Sequence, residues 1–237
     1  APLVGAGPFV NTLCVTDDGQ VVIGGSFAQF DGVARHSIAR LDADGGLDAL
    51  FDGAGGTDNE ITSCDQRGDG RILIGGLFFD FAGRAGLVQL MPDGAADPTF
   101  YPAVHTNSVL AVKALEDDRC MVGGSFRNVG SVPAIASFEL LEADGSVYWP
   151  FHRGSGANNF VDDLLVLPDN SILMAGYFSG YNGDAARWMV RMLPDGERDP
   201  DWPAGTGPNG RVRGMVRLAD GRLYIHGDFS SVDGVPR

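Results

Sequence analysis

The sequence predicts an all-β chain built from copies of one small antiparallel sheet. Three observations predict it. First, an apolar run, a small-residue pair and an aromatic recur as VVIGGSF from Val21, ILIGGLF from Ile72, CMVGGSF from Cys120, ILMAGYF from Ile172 and LYIHGDF from Leu223. Their phenylalanines, Phe27, Phe78, Phe126, Phe178 and Phe229, are separated by 51, 48, 52 and 51 residues, which is the mark of a repeat protein. Second, turn residues stand at two fixed offsets in each copy, and third, no segment carries a helical period.

In the first copy, VNTLCVTDDG places Val10, Leu13 and Val15 on a strand that closes on Asp18-Gly19, and QVVIGGSF follows at once as a second strand. The corresponding turns are Asp69-Gly70, Asp117-Asp118, Asp169-Asn170 and Asp220-Gly221, all residues that tolerate left-handed backbone. A polar connection, AQFDGVARHS, leads to a third strand, IARLDADG, which ends on Asp44-Gly45, with Asp93-Gly94, Asp144-Gly145 and Asp195-Gly196 in the later copies. A fourth strand, LDALF, ends on Phe51, matched by Phe100, Phe151 and Trp202.

Four short strands per copy predict a β-propeller of four-stranded antiparallel blades, about 51 residues each. The expected blades are 10–60, 61–108, 109–160 and 161–211, with a partial fifth, 212–237, that stops at SSVDGVPR, the counterpart of AQFDGVAR. One propeller domain spanning 1–237 is expected, as a piece of a longer protein or a ring that another chain completes. An unpaired β-rich blade otherwise leaves open edges. The small pair lets another backbone approach closely, and the aromatic after it is expected to be buried between neighbouring copies.

The stretch DGQVVIGGSFAQFDGVARHSIARLDADGGLDALF resembles the delta-60 repeat of bacterial β-propeller domains and, more distantly, kelch repeats. The resemblance covers nearly the whole chain. It implies large secreted or surface-associated bacterial proteins and brings no catalytic signature.

Seventeen Lys and Arg against 31 Asp and Glu leave a net charge of −14, which repels phosphate backbones and argues against a nucleic-acid partner. No apolar run approaches the roughly 18 residues of a membrane span, so no membrane insertion is expected. Cys64 is level with Leu13, Val112, Leu164 and Met215, and Cys120 with Val21, Ile72, Ile172 and Leu223. Both are expected at apolar core positions, where a free thiol acts as a small hydrophobe, and Cys14, one place along from Leu13, on the other side of its strand; with an odd count at non-matching positions a disulfide is the minority alternative.

The histidines at 36, 105, 152 and 226 have no metal-ligand spacing, and no cofactor or resident metal is expected. DADGGLD, from Asp42, has the alternating carboxylates of a calcium loop without its distant Glu, so a plain turn is preferred to calcium there. The glycine-rich GAGGTDNE and GTGPNG do not join a strand to a helix and are not read as phosphate loops. No nucleophile elbow or catalytic pairing stands out, and no catalytic residue is named.

What departs from the repeat is aromatic. Trp188 stands where the first copy has Ser37, Tyr181 where it has Phe30, and Tyr148 with Trp149 interrupts the Asp48, Asp97 and Asp199 series. Such side chains stack on sugars or anchor protein partners, although local packing explains them too. The expectation is a non-enzymatic binding, adhesion or scaffold module of an extracellular or surface protein, recognising glycan or protein. The alternatives are a glycan-cleaving enzyme with carboxylates at the central channel, and an oligomerisation or fibre-tip element whose last blade a second copy or the parent protein completes.

Overall fold

The turn residues act as the sequence requires. In this computed structural model, which describes residues 8–51, 53–103, 108–126, 128–129, 132–133, 137–152, 154–202 and 207–237, the first hairpin turn of every copy has a left-handed residue, with φ of 82° at Gly19, 86° at Gly70, 63° at Asp118, 61° at Asn170 and 88° at Gly221. Each turn spans three residues: Gly19 N–H bonds to Thr16 C=O at 2.9 Å, and Thr16 N–H to Gln20 C=O at 2.9 Å. The second turn repeats this geometry, with φ of 85° to 92° at Gly45, Gly94, Gly145 and Gly196. The Asp before each of these glycines accepts a backbone N–H two residues on, as at Asp93 (2.9 Å) and Asp195 (3.0 Å).

The first copy forms a three-stranded antiparallel sheet of Pro8–Val15, Val21–Phe27 and Ile38–Leu41 in chain order. Ile61–Gln66, Ile72–Gly76 and Leu87–Leu90 repeat it in the second copy, and Val161–Val166, Ile172–Gly176 and Met189–Met192 in the fourth. In the fifth, Arg211–Arg217 pairs with Leu223–Asp228. The third contributes Val109–Ala114, Cys120–Gly124 and Phe138–Leu141. The chain divides into two compact units, Ala1–Cys120 with Leu141–Ser146, and Met121–Leu140 with Val147–Arg237. The only helical element among the described residues is the 3₁₀ turn Gly53–Gly55, and no helix there is long and apolar enough to cross a membrane.

The two small residues of each pair have different tasks. The first strand bulges in the first, second, fourth and fifth copies, the register slipping between Val10 and Thr12, Ile61 and Ser63, Val161 and Asp163, and Val212 and Gly214. The bulge turns a carbonyl onto the second small residue. A Cβ on Gly76 would lie 2.4 Å from Glu60 O, and on Gly176 2.1 Å from Phe160 O. The first small residue instead receives the next copy. A Cβ on Gly24 would meet Ile61 Cγ2 at 2.4 Å, on Gly75 Val109 Cγ1 at 2.7 Å, and on Gly123 Val161 Cγ1 at 2.6 Å. Ala175 holds this place in the fourth copy and clusters with Val212.

Side chains of one copy also accept orphan N–H groups of the next: Val112 N–H bonds to Ser63 Oγ at 3.1 Å, Ala114 N–H to Asp65 at 2.9 Å and Met215 N–H to Asp163 at 2.6 Å. One apolar cluster accordingly mixes Cys14, Val22 and Ile38 of the first copy with Ile61, Cys64 and Phe78 of the second. Cys64 is buried as expected, but Leu13, at the same register position, is 62 % exposed because it faces away from the second copy.

All three cysteines are free and buried. Hydrogen bonding with Cys64 and then burial raise the Cys14 thiol. Burial pushes Cys120 up to about 12 against the opposing charge of Arg67. The thiolate is the reactive form, so at pH 8 the folded chain is expected to resist an aromatic disulfide reagent that labels all three cysteines in denaturant. A fast-reacting native thiol would contradict this burial.

The fourth strand is a correction. After the third strand only a single bridge forms, Leu41 to Leu47, Leu90 to Ala96 and Met192 to Arg198. The chain then turns, because Asp48 folds its carboxylate back onto Leu50 N–H (2.8 Å) and Asp97 onto Thr99 N–H (2.8 Å). The connection read as merely polar forms a ribbon instead, Gln29–Phe30 with Val33–Ala34 and Gly180–Tyr181 with Asp184–Ala185. Its turn has both central residues left-handed, at Asp31 and Gly32 (47° and 79°) and at Asn182 and Gly183 (51° and 88°).

Asp48, Asp97 and Asp199 also clasp the third strand, through Arg40 (2.8 Å), Gln89 (2.7 Å) and Arg191 (3.0 Å). Burial pushes the Asp97 carboxyl up, but hydrogen bonds from Thr99 and Gln89 and the charge of Arg71 outweigh it and hold it below its ordinary 3.8. Asp48 is lowered in the same way, against burial, by Leu50 N–H and Arg40. A lowered carboxyl stabilises the fold above its unfolded value and loses that contribution as the pH falls through the folded one. Urea midpoints are therefore expected to be insensitive to these groups near neutrality and to drop below about pH 4. A midpoint flat down to pH 2 would remove the clasp from the account.

Candidate functional site

The four sequence-derived candidates have different surroundings. Tyr181 is fully buried in the place of Phe30 and Phe81; its ring lies 6.0 Å from that of Phe138 and its hydroxyl donates to Gly196 C=O at 2.8 Å. Burial raises its phenol, and a ligand reaches the ring only by opening the core. Tyr148 is half-buried at the position of Asp48, with its N–H bonded to Leu140 C=O at 2.9 Å. Leu140 in turn replaces Arg40, so the third copy exchanges both members of the acid–arginine clasp together. Trp149, 64 % exposed, projects from the turn at the position of Ala49, Pro98 and Pro200.

Trp188 is different. Its backbone sits at φ 65°, a left-handed conformation that the same register position also adopts at Ser37 (68°) and Gly86 (71°). Two ladder bonds fix it there: Trp188 N–H to Phe178 C=O (3.1 Å) and Gly176 N–H to Trp188 C=O (3.0 Å). A bulky side chain is rare in this region and costs roughly 1 kcal/mol or more. The structure gathers two further rings beside it that the sequence reading did not single out. Tyr177 lies 5.3 Å from Trp188, centroid to centroid, at 32°, and Phe160 lies 6.4 Å from Tyr177 at 41°.

Three strands of the fourth copy build this strip. Phe160 precedes the first, Tyr177 follows the second and Trp188 precedes the third, and the ladder bond from Tyr177 N–H to Phe160 C=O (2.9 Å) brings two of them level. The equivalent trios are Phe9, Ser26 and Ser37 in the first copy, Glu60, Leu77 and Gly86 in the second, and Ser108, Ser125 and Ser137 in the third. Only the fourth carries three aromatics. Phe160 and Tyr177 remain 38 % and 46 % exposed.

A charged border runs beside the strip. The Arg211 guanidinium lies 5.9 Å from the Tyr177 ring centre and bonds twice to Asp162, Nε to Oδ2 at 2.7 Å and Nη2 to Oδ1 at 2.5 Å. Asp228 is the cross-strand partner of Arg211 and takes three bonds from Arg213, at 2.7 to 3.1 Å. The Asp162 hydrogen bond raises Arg211, and the Arg213 hydrogen bond lowers Asp228.

The other candidate chemistries resolve into local structure. The carboxylates of the Asp-Gly turns bond to their own backbone, and among the described residues no three His, Cys, Asp or Glu side chains gather as a metal site. His105 and the start of GTGPNG lie outside the described residues. In the other glycine-rich stretch, Asp58 accepts both Phe79 and Asp80 N–H, at 2.9 and 3.2 Å, which pins the loop to its own sheet. His226 lies across Gly214, where a Cβ would meet its Nε2 at 2.3 Å.

A family model described as a domain of unknown function (DUF5122) β-propeller matches residues 16–51, 67–100, 167–201 and 218–237, just over half of the chain. Among solved structures, the WD40 β-propeller domain of Doa1 is similar at TM-score 0.61 and 14 % identity, over 94 % of this chain and 62 % of that one. A gluconolactonase from Xanthomonas campestris is similar at TM-score 0.57 and 17 % identity, over 92 % of this chain and 69 % of that one. The extracellular domain of a hybrid two component system from B. thetaiotaomicron is similar at TM-score 0.55 and 12 % identity, over 91 % of this chain and 25 % of that one. The chain thus spans a quarter of the last and under two thirds of the first. Among curated protein sequences none matches.

Proposed function

The chain belongs to the domain of unknown function (DUF5122) β-propeller family, and on that premise we propose that it is a non-enzymatic recognition module of an extracellular or cell-surface bacterial protein. Its ligand is a glycan or a protein surface. The module is one propeller domain of four complete blades and a partial fifth. The observation that carries the reading is the strip Phe160, Tyr177 and Trp188: three adjacent positions on three strands turn aromatic together in one copy, where the other copies supply the internal control. Trp188 itself is half-buried against Ala175, Met189 and Val212, and the half-exposed Tyr177 lies beside it. The extracellular domain among the structural neighbours agrees with an exported setting.

The test is binding of the labelled chain to glycan and peptide arrays, beside the variant Trp188→Ser, which installs the residue of Ser37 and Ser137. A signal present in the parent and lost in the variant is expected. Equal signals, or none from either, would end the proposal.

A second reading has its own support. Apolar side chains stand exposed on the first copy at Phe9 (66 %) and Val15 (64 %), and on the fifth at Val216 (54 %) and Tyr224 (53 %). Such faces suit association with a second copy or with the rest of a parent protein. Sedimentation equilibrium is expected to show mass above the monomer, and a strict monomer at high concentration would remove the homo-oligomer.

A further inference from the structure

We infer that Cys14 and Cys64 are the two halves of a latent disulfide that staples the first copy to the second, formed by exchange with glutathione disulfide and leaving Cys120 free. The register of the seam carries the pairing. Asn11 Nδ2 donates to Ile61 C=O at 3.1 Å and Asp17 N–H to Gln66 Oε1 at 2.8 Å, so the first strands of the two copies meet on either side of the two cysteines. Between those contacts the Cys64 sulfur lies 3.5 Å from Thr12 Oγ1 and 4.0 Å from the carbonyl oxygen of Val22, the residue paired with Cys14 across the first hairpin. Both thiols belong to one buried cluster, and the Cys14 thiol hydrogen-bonds with Cys64. Packing does not ask for sulfur in either place. The corresponding pairs at the later seams are Asp65 with Val112, Lys113 with Leu164 and Leu165 with Met215.

Cys120 is excluded by the alternation of the strand. Cys64 faces the first copy, whereas its neighbour Asp65 points the other way and accepts Ala114 N–H of the third copy at 2.9 Å. Cys120 belongs to that third copy, so the sheet of the second stands between it and the pair. The exchange balances. The Cys14 thiolate attacks one sulfur of glutathione disulfide and expels a glutathione thiolate, and the Cys64 thiolate then attacks the Cys14 sulfur of the mixed disulfide and expels the second. Two protein thiols are oxidised, one glutathione disulfide is reduced to two glutathiones, and the two thiol protons end on them. Hydrogen bonding with Cys64 and then burial raise the Cys14 thiol in the closed seam, so exchange runs while the seam is open during folding, and the finished bond is then shielded from reductant. The first copy has most to gain from the staple. Leu13 and Val15 on its other face are 62 % and 64 % exposed, so among the described residues it leans on a neighbour from one side alone.

The test starts from the full chain, reduced and unfolded in urea, refolded by dilution into a buffer of reduced and oxidised glutathione, quenched by alkylation and mapped by mass spectrometry of its peptides. The expected product carries one Cys14–Cys64 cross-link and one alkyl group, on Cys120. Without the quench, the oxidised chain in denaturant offers one thiol to the aromatic disulfide reagent where the reduced chain offers three. It is expected to melt about 5 °C or more above its own reduced form. Cys14→Ser and Cys64→Ser are each expected to abolish both the cross-link and that difference, and Cys120→Ser to keep both. The parent's own peptide map decides the pairing even where a buried serine prevents folding. Cross-links that include Cys120, three alkylated thiols after refolding, or an oxidised chain that melts no higher than the reduced one would overturn the inference.

Discussion

Gly76→Ala is expected to destabilise the chain by about 3 kcal/mol or more, while Gly75→Ala, one residue earlier, costs about 1 to 2 kcal/mol. Neither glycine has positive φ, so both backbones suit alanine, and each substitution gains a few tenths of a kcal/mol or more by restricting the unfolded chain. The difference lies in what the new methyl meets. At Gly76 it lies 2.4 Å from Glu60 O, a main-chain oxygen that the bulge between Ile61 and Ser63 holds in place. Relief means removing the bulge, which shifts the register of the strand and turns its apolar residues to the wrong face. At Gly75 the methyl meets Val109 Cγ1 at 2.7 Å and Val112 Cγ1 at 2.8 Å, side chains of the neighbouring copy. That seam can give way, because the fourth copy already carries Ala175 there against Val212. Urea midpoints at unchanged slope measure both costs. Equal losses at the two positions would show that the bulge does not impose the second glycine.

The same contrast explains what the sequence discloses. Turn positions are legible because few residues accept left-handed backbone, so Gly19, Asp118 and Asn170 announce the same geometry through different side chains. The glycine pair is legible as a close approach, but its two tasks are not, since only coordinates separate a carbonyl at Gly76 from a valine at Gly75. The fourth strand misleads because LDALF has strand composition, whereas a single Asp48 carboxylate bonded to Leu50 N–H ends the ladder after one bridge. The ribbon is missed for the opposite reason: Phe30 and Tyr181 are buried cross-strand residues within stretches dominated by turn formers.

The candidate site was half legible. Trp188 departs from Ser37 in an obvious way, but Phe160 and Tyr177 each look like ordinary core substitutions in isolation. They become a strip only when the ladder bond from Tyr177 to Phe160 and the stacking on Trp188 are known. Comparing the copies three positions at a time, across strands rather than along the chain, would have found it.

Arg67→Leu is expected to stabilise the chain by about 1 to 3 kcal/mol. Arg67 is almost completely buried, and its Nε and Nη2 have no hydrogen-bond partner, leaving one bond from Nη1 to Asp118 C=O and a ring contact with Phe100 at 5.8 Å. One hydrogen bond to a charged group is worth about 1.5 to 3 kcal/mol and a cation–π contact about 0.5 to 2 kcal/mol. Together they do not offset the several kcal/mol needed to take a guanidinium out of water. Position by position, the repeat already supplies the alternative, since Leu115, Leu167 and Leu218 stand at the same turn entrance, each bonding its N–H across the hairpin as Arg67 does. A leucine there fills part of the arginine's volume with apolar surface and removes two orphan donors. The substitution also removes the only charge that opposes burial at Cys120, so that thiol becomes still harder to ionise. A higher urea midpoint with an unchanged slope, and a native Cys120 that stays unreactive at a pH where the parent's begins to label, are the expected pair of results. A loss of more than about 1 kcal/mol would mean that the buried cation holds the seam between the second and third copies more strongly than its one hydrogen bond accounts for.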